Sequence, residues 1–140
     1  MTDRRIDWLA VAIGAVTDTV GTIVFMFLFG VVAAFASEMQ HLSSSEMEAR
    51  LQRPVVMIAL MIIGLSFTVL GGYVAGKVSK VRQVMHGGIV GSIGIVLVLL
   101  LWNSAPVWNN IVSLVTTVPC GLLGGWIAGQ GKNASSPDLK

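Results

Sequence analysis

Asp18 is the residue whose type and position most invite chemistry, because it interrupts an apolar run from Trp8 to Ala36. At about 1.5 Å per helical residue it lies ~15 Å from Trp8, which is near the middle of a bilayer. An Asp at that depth costs about 2.5–3.5 kcal/mol on insertion scales, and each apolar residue contributes about −0.3 to −0.6 kcal/mol. The helix is therefore expected to insert, with Asp18 facing protein rather than lipid.

Hydroxyl groups on the other apolar runs are the candidate partners of Asp18. The sequence has no Lys, Arg or His at the depth of Asp18, so an internal ion pair is not expected. The candidate intramembrane polar site comprises Asp18, Thr22, Ser66, Thr68, Ser92, Thr116 and Thr117.

Three interpretations of Asp18 remain open. The carboxyl is neutral and donates a structural hydrogen bond across the bundle, or it binds a passing cation or proton, or it pairs with a basic residue of a separate subunit. Because the sequence places no second acid and no His beside Asp18, the structural interpretation is favoured over transport, and transport over the partner.

The remaining residues do not have the spacing of a catalytic, metal or cofactor site. His41 and His86 are isolated from Cys, Asp and Glu at ligand spacing. The single cysteine, Cys120, excludes an internal disulfide. The glycines at 87–91 lie inside an apolar run and follow no strand, unlike a dinucleotide-binding loop. We therefore expect a protein that is not an enzyme and that binds no metal, no cofactor and no nucleic acid.

Four apolar stretches are long enough to form the helices that position Asp18. A spanning helix needs about 20 mostly apolar residues, and residues 8–36, 54–76, 84–102 and 107–129 meet this requirement. Charged residues make up 11% of the chain, which is typical of integral membrane proteins. The sequence predicts an all-α integral membrane fold with a single membrane domain over residues 1–140.

The placement of Lys and Arg predicts the orientation of this domain. Seven basic residues lie on one side of the four spans: Arg4, Arg5, Lys77, Lys80, Arg82, Lys132 and Lys140. Only Arg50 and Arg53 lie on the other side. Since basic flanking segments stay cytoplasmic, both termini are expected inside the cell, in a multi-pass protein of the cytoplasmic membrane.

The segments outside the spans are short. The connector 37–53 is predicted to be extracytoplasmic and to hold a short amphipathic helix, because Ser43 and Glu46 have the spacing of a capping box. The turn at 103–106 joins the last two spans, and the polar tail 131–140 is predicted to be disordered.

A glycine motif occurs twice and suggests how the helices pack. Residues 71–76 read GGYVAG and residues 124–129 read GGWIAG, and both copies run from outside to inside. The pattern predicts two parallel-repeat hairpins packed through small-residue (GxxxG, glycine zipper) faces. The expected helix-packing residues are Gly14, Gly21, Gly64, Gly72, Gly76, Gly87, Gly91, Gly121, Gly125 and Gly129.

The first copy continues into Lys77 and is followed by His86-Gly87-Gly88-Ile89-Val90-Gly91. This order resembles small bacterial four-helix membrane proteins with a G-G-Y-x-A-G-[KR] signature followed by an H-G-x-x-x-G segment. The second copy departs from that signature, with Trp126 as its aromatic and Gln130 in place of the basic residue. The resemblance implies a four-helix membrane fold and brings no activity with it.

Two function classes follow. The first is a polytopic membrane protein of structural, accessory-subunit or oligomeric scaffold type, without catalytic activity. The alternative is a small oligomeric transporter or channel that uses Asp18 for a cation or a proton. In either class the expected partners are the lipid bilayer and either further copies of the chain or another membrane protein.

Overall fold

The structure is a computed structural model that describes residues 6–79, 81–102 and 106–133, with side chains up to residue 130. These residues form five helices: α1 (Trp8–Met39), α2 (Ser44–Leu51), α3 (Pro54–Ser79), α4 (Gln83–Leu100) and α5 (Val107–Asn133). Four of them, α1, α3, α4 and α5, are long and apolar enough to cross a membrane. The prediction of an all-helical chain with four such helices is confirmed, and it suggests a multi-pass membrane protein.

Local sequence signals explain where these helices begin. Asp7 caps α1 by accepting a hydrogen bond from the Ala10 backbone N–H at 3.1 Å. Ser43 and Glu46 form the capping box of α2. Pro54 is the first residue of α3, where a missing N–H leaves no hydrogen bond unmade.

Some of the sequence predictions fall on other parts of the chain. Arg4, Arg5, Lys80, Lys140, the turn residues 103–105 and most of the tail lie outside the described residues. Helix α5 continues to Asn133, so the first residues of the segment predicted to be disordered are helical. The backbone hydrogen-bond ladder extends here beyond the apolar run from which the sequence prediction was made.

The four long helices alternate in direction. Helix α3 packs against α1, α4 and α5, and α5 also packs along α4. Gly14 and Gly21 of α1 lie beside Gly71 and Phe67 of α3 respectively, so these two helices are antiparallel. We call the two ends of the bundle the N-terminal end (start of α1, link from α3 to α4, end of α5) and the α2 end (α2, link from α4 to α5).

The paired glycines of α3 each face a different helix. A Cβ on Gly71 would lie 2.7 Å from the carbonyl oxygen of Gly14 on α1. A Cβ on Gly72 would collide with the carbonyl oxygen of Gly121 on α5. Because successive residues of a helix point about 100° apart, a glycine doublet lets one helix meet two neighbours backbone to backbone.

Helix α5 uses its own doublet in the same way. A Cβ on Gly124 would collide with the carbonyl oxygen of Val69 on α3, and one on Gly125 with the carbonyl oxygen of Gln83 at the start of α4. The three helices α3, α4 and α5 therefore pack at backbone distance, an arrangement that favours van der Waals contact between helices in lipid.

Helix α1 packs tightly only in the half of the bundle nearer the N-terminal end. The buried residues of α1 are Ala10, Val11, Gly14 and Asp18, all in its first half. Val11 joins Ala75 of α3 and Val90 of α4 in the small apolar core. Beyond Asp18, aromatic rings lie between α1 and α3: Phe67 lies against Gly21, and its ring centroid is 6.2 Å from that of Phe25. These bulky rings prevent close approach of the two backbones.

Candidate functional site

Asp18 meets Thr68 at the point along the bundle where the tight packing of α1 ends. Asp18 is 8% exposed and Thr68 is 6% exposed. The Thr68 hydroxyl lies 3.3 Å from Oδ1 and 3.4 Å from Oδ2 of Asp18, and 3.5 Å from the carbonyl oxygen of Gly64. These distances exceed the ~2.7–2.8 Å of a strong O–H···O bond. One hydroxyl proton is shared among three acceptors, so the carboxyl keeps most of its capacity for a further partner.

Glycines next to Asp18 hold it in this position. Gly14 lies one turn before Asp18 on the same face of α1, and a Cβ there would lie 2.6 Å from the carbonyl oxygen of Gly71. A Cβ on Gly71 would itself lie 2.8 Å from the Cβ of Asp18. The absence of side chains at Gly14 and Gly71 therefore brings the backbone of α1 onto α3 and directs Asp18 toward Thr68.

A cavity of about 610 Å³ extends from this pair toward the α2 end. All five helices contribute to its lining: Asp18, Thr19, Thr22, Ile23, Met26, Leu51, Met57, Leu60, Met61, Gly64, Leu65, Thr68, Gly94, Leu97, Val98, Leu101, Asn109, Asn110, Ser113 and Thr117. Asp18 and Thr68 lie deep along their helices, whereas Leu51 and Leu101 belong to the α2 end. The cavity is thus a largely apolar, partly open space with a carboxyl group at one end.

The structure brings four of the sequence-predicted polar residues together. Asp18, Thr22, Thr68 and Thr117 all line the cavity. The Thr117 hydroxyl also donates to the carbonyl oxygen of Ser113 on its own helix at 2.5 Å.

The other three predicted polar residues lie elsewhere. The hydroxyls of Ser66, Ser92 and Thr116 donate to the carbonyl oxygens of Ile62, Gly88 and Val112, each four residues earlier in the same helix. Ser66 and Ser92 are on exposed faces. Serine and threonine hydroxyls commonly bond in this way inside helices when no other helix supplies a partner. Depth in the span was predictable from sequence, but the direction of each side chain depended on how the helices rotate.

Sequence reasoning missed the polar residues nearer the α2 end. Asn109, Asn110 and Ser113 line the cavity, and the Asn110 side chain donates to the carbonyl oxygen of Trp102 at 2.7 Å. Asn110, Ser113 and Thr117 are spaced by three and four residues, which puts them on one face of a helix. That spacing was the available signal for a polar stripe on α5.

Most predicted packing glycines lie at helix contacts. A Cβ on Gly14, Gly21, Gly72, Gly76, Gly87, Gly91, Gly121, Gly125 or Gly129 would meet an atom of another helix at 2.9 Å or less. Gly64 is the exception, because a Cβ there would have no neighbour within 4 Å, and this residue lines the cavity instead. Gly71 and Gly124, which the predicted packing set omits, lie at contacts as close as the others.

His86 on α4 forms a hydrogen bond with the backbone at the start of α1. Its ring is 1% exposed; Nε2 accepts a hydrogen bond from the Asp7 backbone N–H at 3.0 Å, and Nδ1 lies 3.1 Å from the Arg82 carbonyl oxygen. The ring is therefore the tautomer that donates from Nδ1 and accepts at Nε2. Within the described ranges, no three His, Cys, Asp or Glu side chains gather where they could hold a metal ion.

No protein-family model, curated protein or solved structure matches this chain. The chemistry of the site follows from its residues. Among the described residues that line the cavity, Asp18 is the one ionisable side chain. The arrangement can accept hydrogen bonds and can hold one positive charge.

Proposed function

We propose that this protein is a non-catalytic, multi-pass protein of the bacterial cytoplasmic membrane that acts as a structural or accessory subunit. The backbone contacts among α3, α4 and α5 carry this proposal. Glycine doublets hold the three helices at a separation that side chains would prevent, and such a bundle is a rigid platform for other membrane segments.

Helix α1 is the surface on which such segments would pack. Its second half has no buried residue, and Phe27 and Phe35 are each 70% exposed. In a membrane this face meets either lipid chains or the helices of a neighbour. The proposed neighbour is a second copy of the chain or another membrane protein.

The distribution of basic residues supports a cytoplasmic location of the N-terminal end. Lys77 and Arg82 lie at the N-terminal end of the described bundle, and Arg50 and Arg53 lie at the α2 end. In the sequence, Arg4, Arg5, Lys80, Lys132 and Lys140 flank the same apolar runs, and this excess of basic residues is what supports the proposed orientation under the positive-inside rule.

The contacts of α3 with α5 support a parallel repeat. Gly72 faces Gly121, and Gly76 faces Gly125, so the two helices that bear the duplicated motif run in the same direction. Two hairpins, α1 with α3 and α4 with α5, would then be the repeating units.

Site-specific photo-crosslinking in growing cells tests the proposed assembly. A photoreactive amino acid at Phe27 or Phe35 is expected to give a discrete adduct with a second copy or with another membrane protein. The control position is Ala10, which is fully buried within the chain and should give no intermolecular adduct. Lipid adducts alone at both exposed positions would overturn the proposal.

The cavity favours a second candidate function. A small oligomeric transporter or channel needs a chamber within the membrane and a group that takes up the ion, and the cavity that ends on Asp18 offers both. A cation flux through reconstituted protein that Asp18→Asn abolishes would establish this alternative.

A further inference from the structure

The walls of the cavity indicate what kind of molecule it could hold. Its volume of about 610 Å³ falls within the ~300–1,000 Å³ of ligand pockets. Aliphatic and methionine side chains dominate the lining, and Met26, Met57 and Met61 come from two different helices. Because methionine side chains are flexible and polarizable, they can adapt to an irregular apolar surface. The walls therefore suit a largely apolar body.

The Asp18 end of the cavity adds a requirement for charge. Asp18 is the one ionisable group among the described lining residues, and the Thr68 hydroxyl is the hydrogen-bond partner that the structure gives its carboxyl. Where the surroundings of an ionised carboxylate are mostly apolar, it is stabilised chiefly by a cation brought to it. A ligand with one positive charge would supply the cation that no described lining residue provides.

The geometry favours an organic cation over an inorganic one. A bare metal cation must replace its water shell with several oxygen ligands at short distance. Among the described residues, the Thr68 hydroxyl is the one group that the structure gives within hydrogen-bonding distance of the Asp18 carboxylate. An organic cation needs no such cage, because its own apolar groups can be solvated by the cavity walls.

We propose that the cavity binds an organic monocation with an apolar body, whose charge pairs with Asp18 while its apolar groups contact the walls. This binding goes beyond the proposed accessory function, which stands whether or not the cavity is filled. It also does not require that the cation crosses the membrane.

Equilibrium dialysis of the full chain in detergent, with tetraphenylphosphonium as the probe, tests the proposal. Native protein is expected to bind this cation saturably, close to one per chain. Tetraphenylborate, an anion of similar size and shape, should show no saturable binding. Asp18→Asn should weaken tetraphenylphosphonium binding by about tenfold or more, the equivalent of ~1.4 kcal/mol.

Two glycines give a matched pair of variants that leaves Asp18 intact. A Cβ on Gly64 or on Gly30 would meet nothing within 4 Å, so Leu should be tolerated at both positions. Gly64 lines the cavity, whereas Gly30 is on the exposed face of α1. Gly64→Leu should therefore reduce binding by filling the cavity, and Gly30→Leu should bind as the native protein does.

The possible binding results either support the proposed cation site or overturn it. Loss of binding in Gly64→Leu, with retention in Gly30→Leu and discrimination against the anion, would support the proposed site even if Asp18→Asn failed to fold. Equal binding of the cation and the anion, or native-like binding by Gly64→Leu, would overturn it. Neither result bears on whether α1 contacts a partner, so failure here leaves the accessory function standing.

Discussion

The Oδ1 atom of Asp18 on α1 lies 3.3 Å from the hydroxyl oxygen of Thr68 on α3, where the tight packing of α1 ends and the cavity begins. Glycines on one side of this pair bring the two backbones together, and the rings of Phe25 and Phe67 on the other side keep them apart. Asp18 and Thr68 therefore belong both to the contact between α1 and α3 and to the lining of the cavity. The role of the pair can be measured both as a contribution to stability and as a requirement for binding or flux.

The first prediction concerns the strength of this hydrogen bond. Asp18→Leu and Thr68→Val each remove one partner, and measured interhelical hydrogen bonds indicate a coupling of about 0.6–1.7 kcal/mol. A double-mutant cycle on unfolding in mixed micelles should give a coupling of this size. Asp18→Asn should stay near native stability, because the amide retains a donor and an acceptor at almost the same volume. A coupling indistinguishable from zero would mean that the two groups do not interact.

The second prediction concerns the two faces of the glycine doublet on α3. Gly71→Leu should separate α3 from α1, and Gly72→Leu should separate α3 from α5, since a side chain at either position meets backbone atoms. We expect each variant to lose at least as much stability as a typical overpacked core, about 1–3 kcal/mol. Gly30→Leu is the control, because that position is open.

Cysteine pairs that report on each interface would distinguish the two variants of the doublet. Crosslinking between α1 and α3 should fail in Gly71→Leu and survive in Gly72→Leu, and crosslinking between α3 and α5 should show the reverse. Identical behaviour of the two variants would contradict the assignment of one glycine to each neighbour.

The third prediction concerns His86. His86→Ala removes the acceptor of the Asp7 N–H and the buried ring that carries it, and the loss of one such hydrogen bond costs about 0.5–1.5 kcal/mol. Backbone amides at the start of α1 should then exchange hydrogen faster. His41→Asn is the control, because His41 is exposed, has a left-handed backbone (φ 52°) and can be replaced by Asn without strain. Unchanged exchange at the start of α1 would show that His86 does not hold it.

The fourth prediction concerns orientation. In a chain whose Cys120 is replaced by Ser, cysteine at Ser44 should react with an impermeant thiol reagent in intact cells, whereas cysteine at Val81 should not. Both residues are exposed. Ser79 is unsuitable for this purpose because it is buried and donates to the Gly76 carbonyl oxygen. Labelling at Val81 with protection at Ser44 would place the termini outside the cell.

The fifth prediction concerns the pH dependence of α2. The hydrogen bonds that Glu46 accepts from the Ser43 backbone N–H at 2.9 Å and from its hydroxyl at 2.8 Å lower the pKa of Glu46. A carboxyl with a lowered folded pKa stabilises the helix above its unfolded pKa, and this contribution is lost as the pH falls through the folded value. Amide chemical shifts across residues 44–51 should therefore report fraying on acidification. Glu46→Gln should remove that titration, and a titration that persists in Glu46→Gln would have to come from another group.

The helices could be predicted from sequence, but the cavity could not. Long apolar runs separated by polar links are sufficient to identify four helices of spanning length. Asp18 and Thr68 were predictable as neighbours in depth, because both lie near the middle of their runs. Ser66 and Ser92, at similar depth, point away from the cavity because rotation about the helix axis depends on which glycines meet. Beyond Asp18, α1 and α3 meet through ring contacts between residues distant in sequence, such as that of Phe25 with Phe67, and periodicity carries no signal for these.

The most direct test of the structural role assigned to Asp18 is ion flux through reconstituted protein. Native protein and Asp18→Asn, matched for assembly and for amount in liposomes, would be compared under imposed proton and potassium gradients. If Asp18 serves packing and the protein is an accessory subunit, neither form should move ions above protein-free liposomes. If the native protein conducts and Asp18→Asn does not, the carboxyl carries the ion, and the protein is a transporter or a channel.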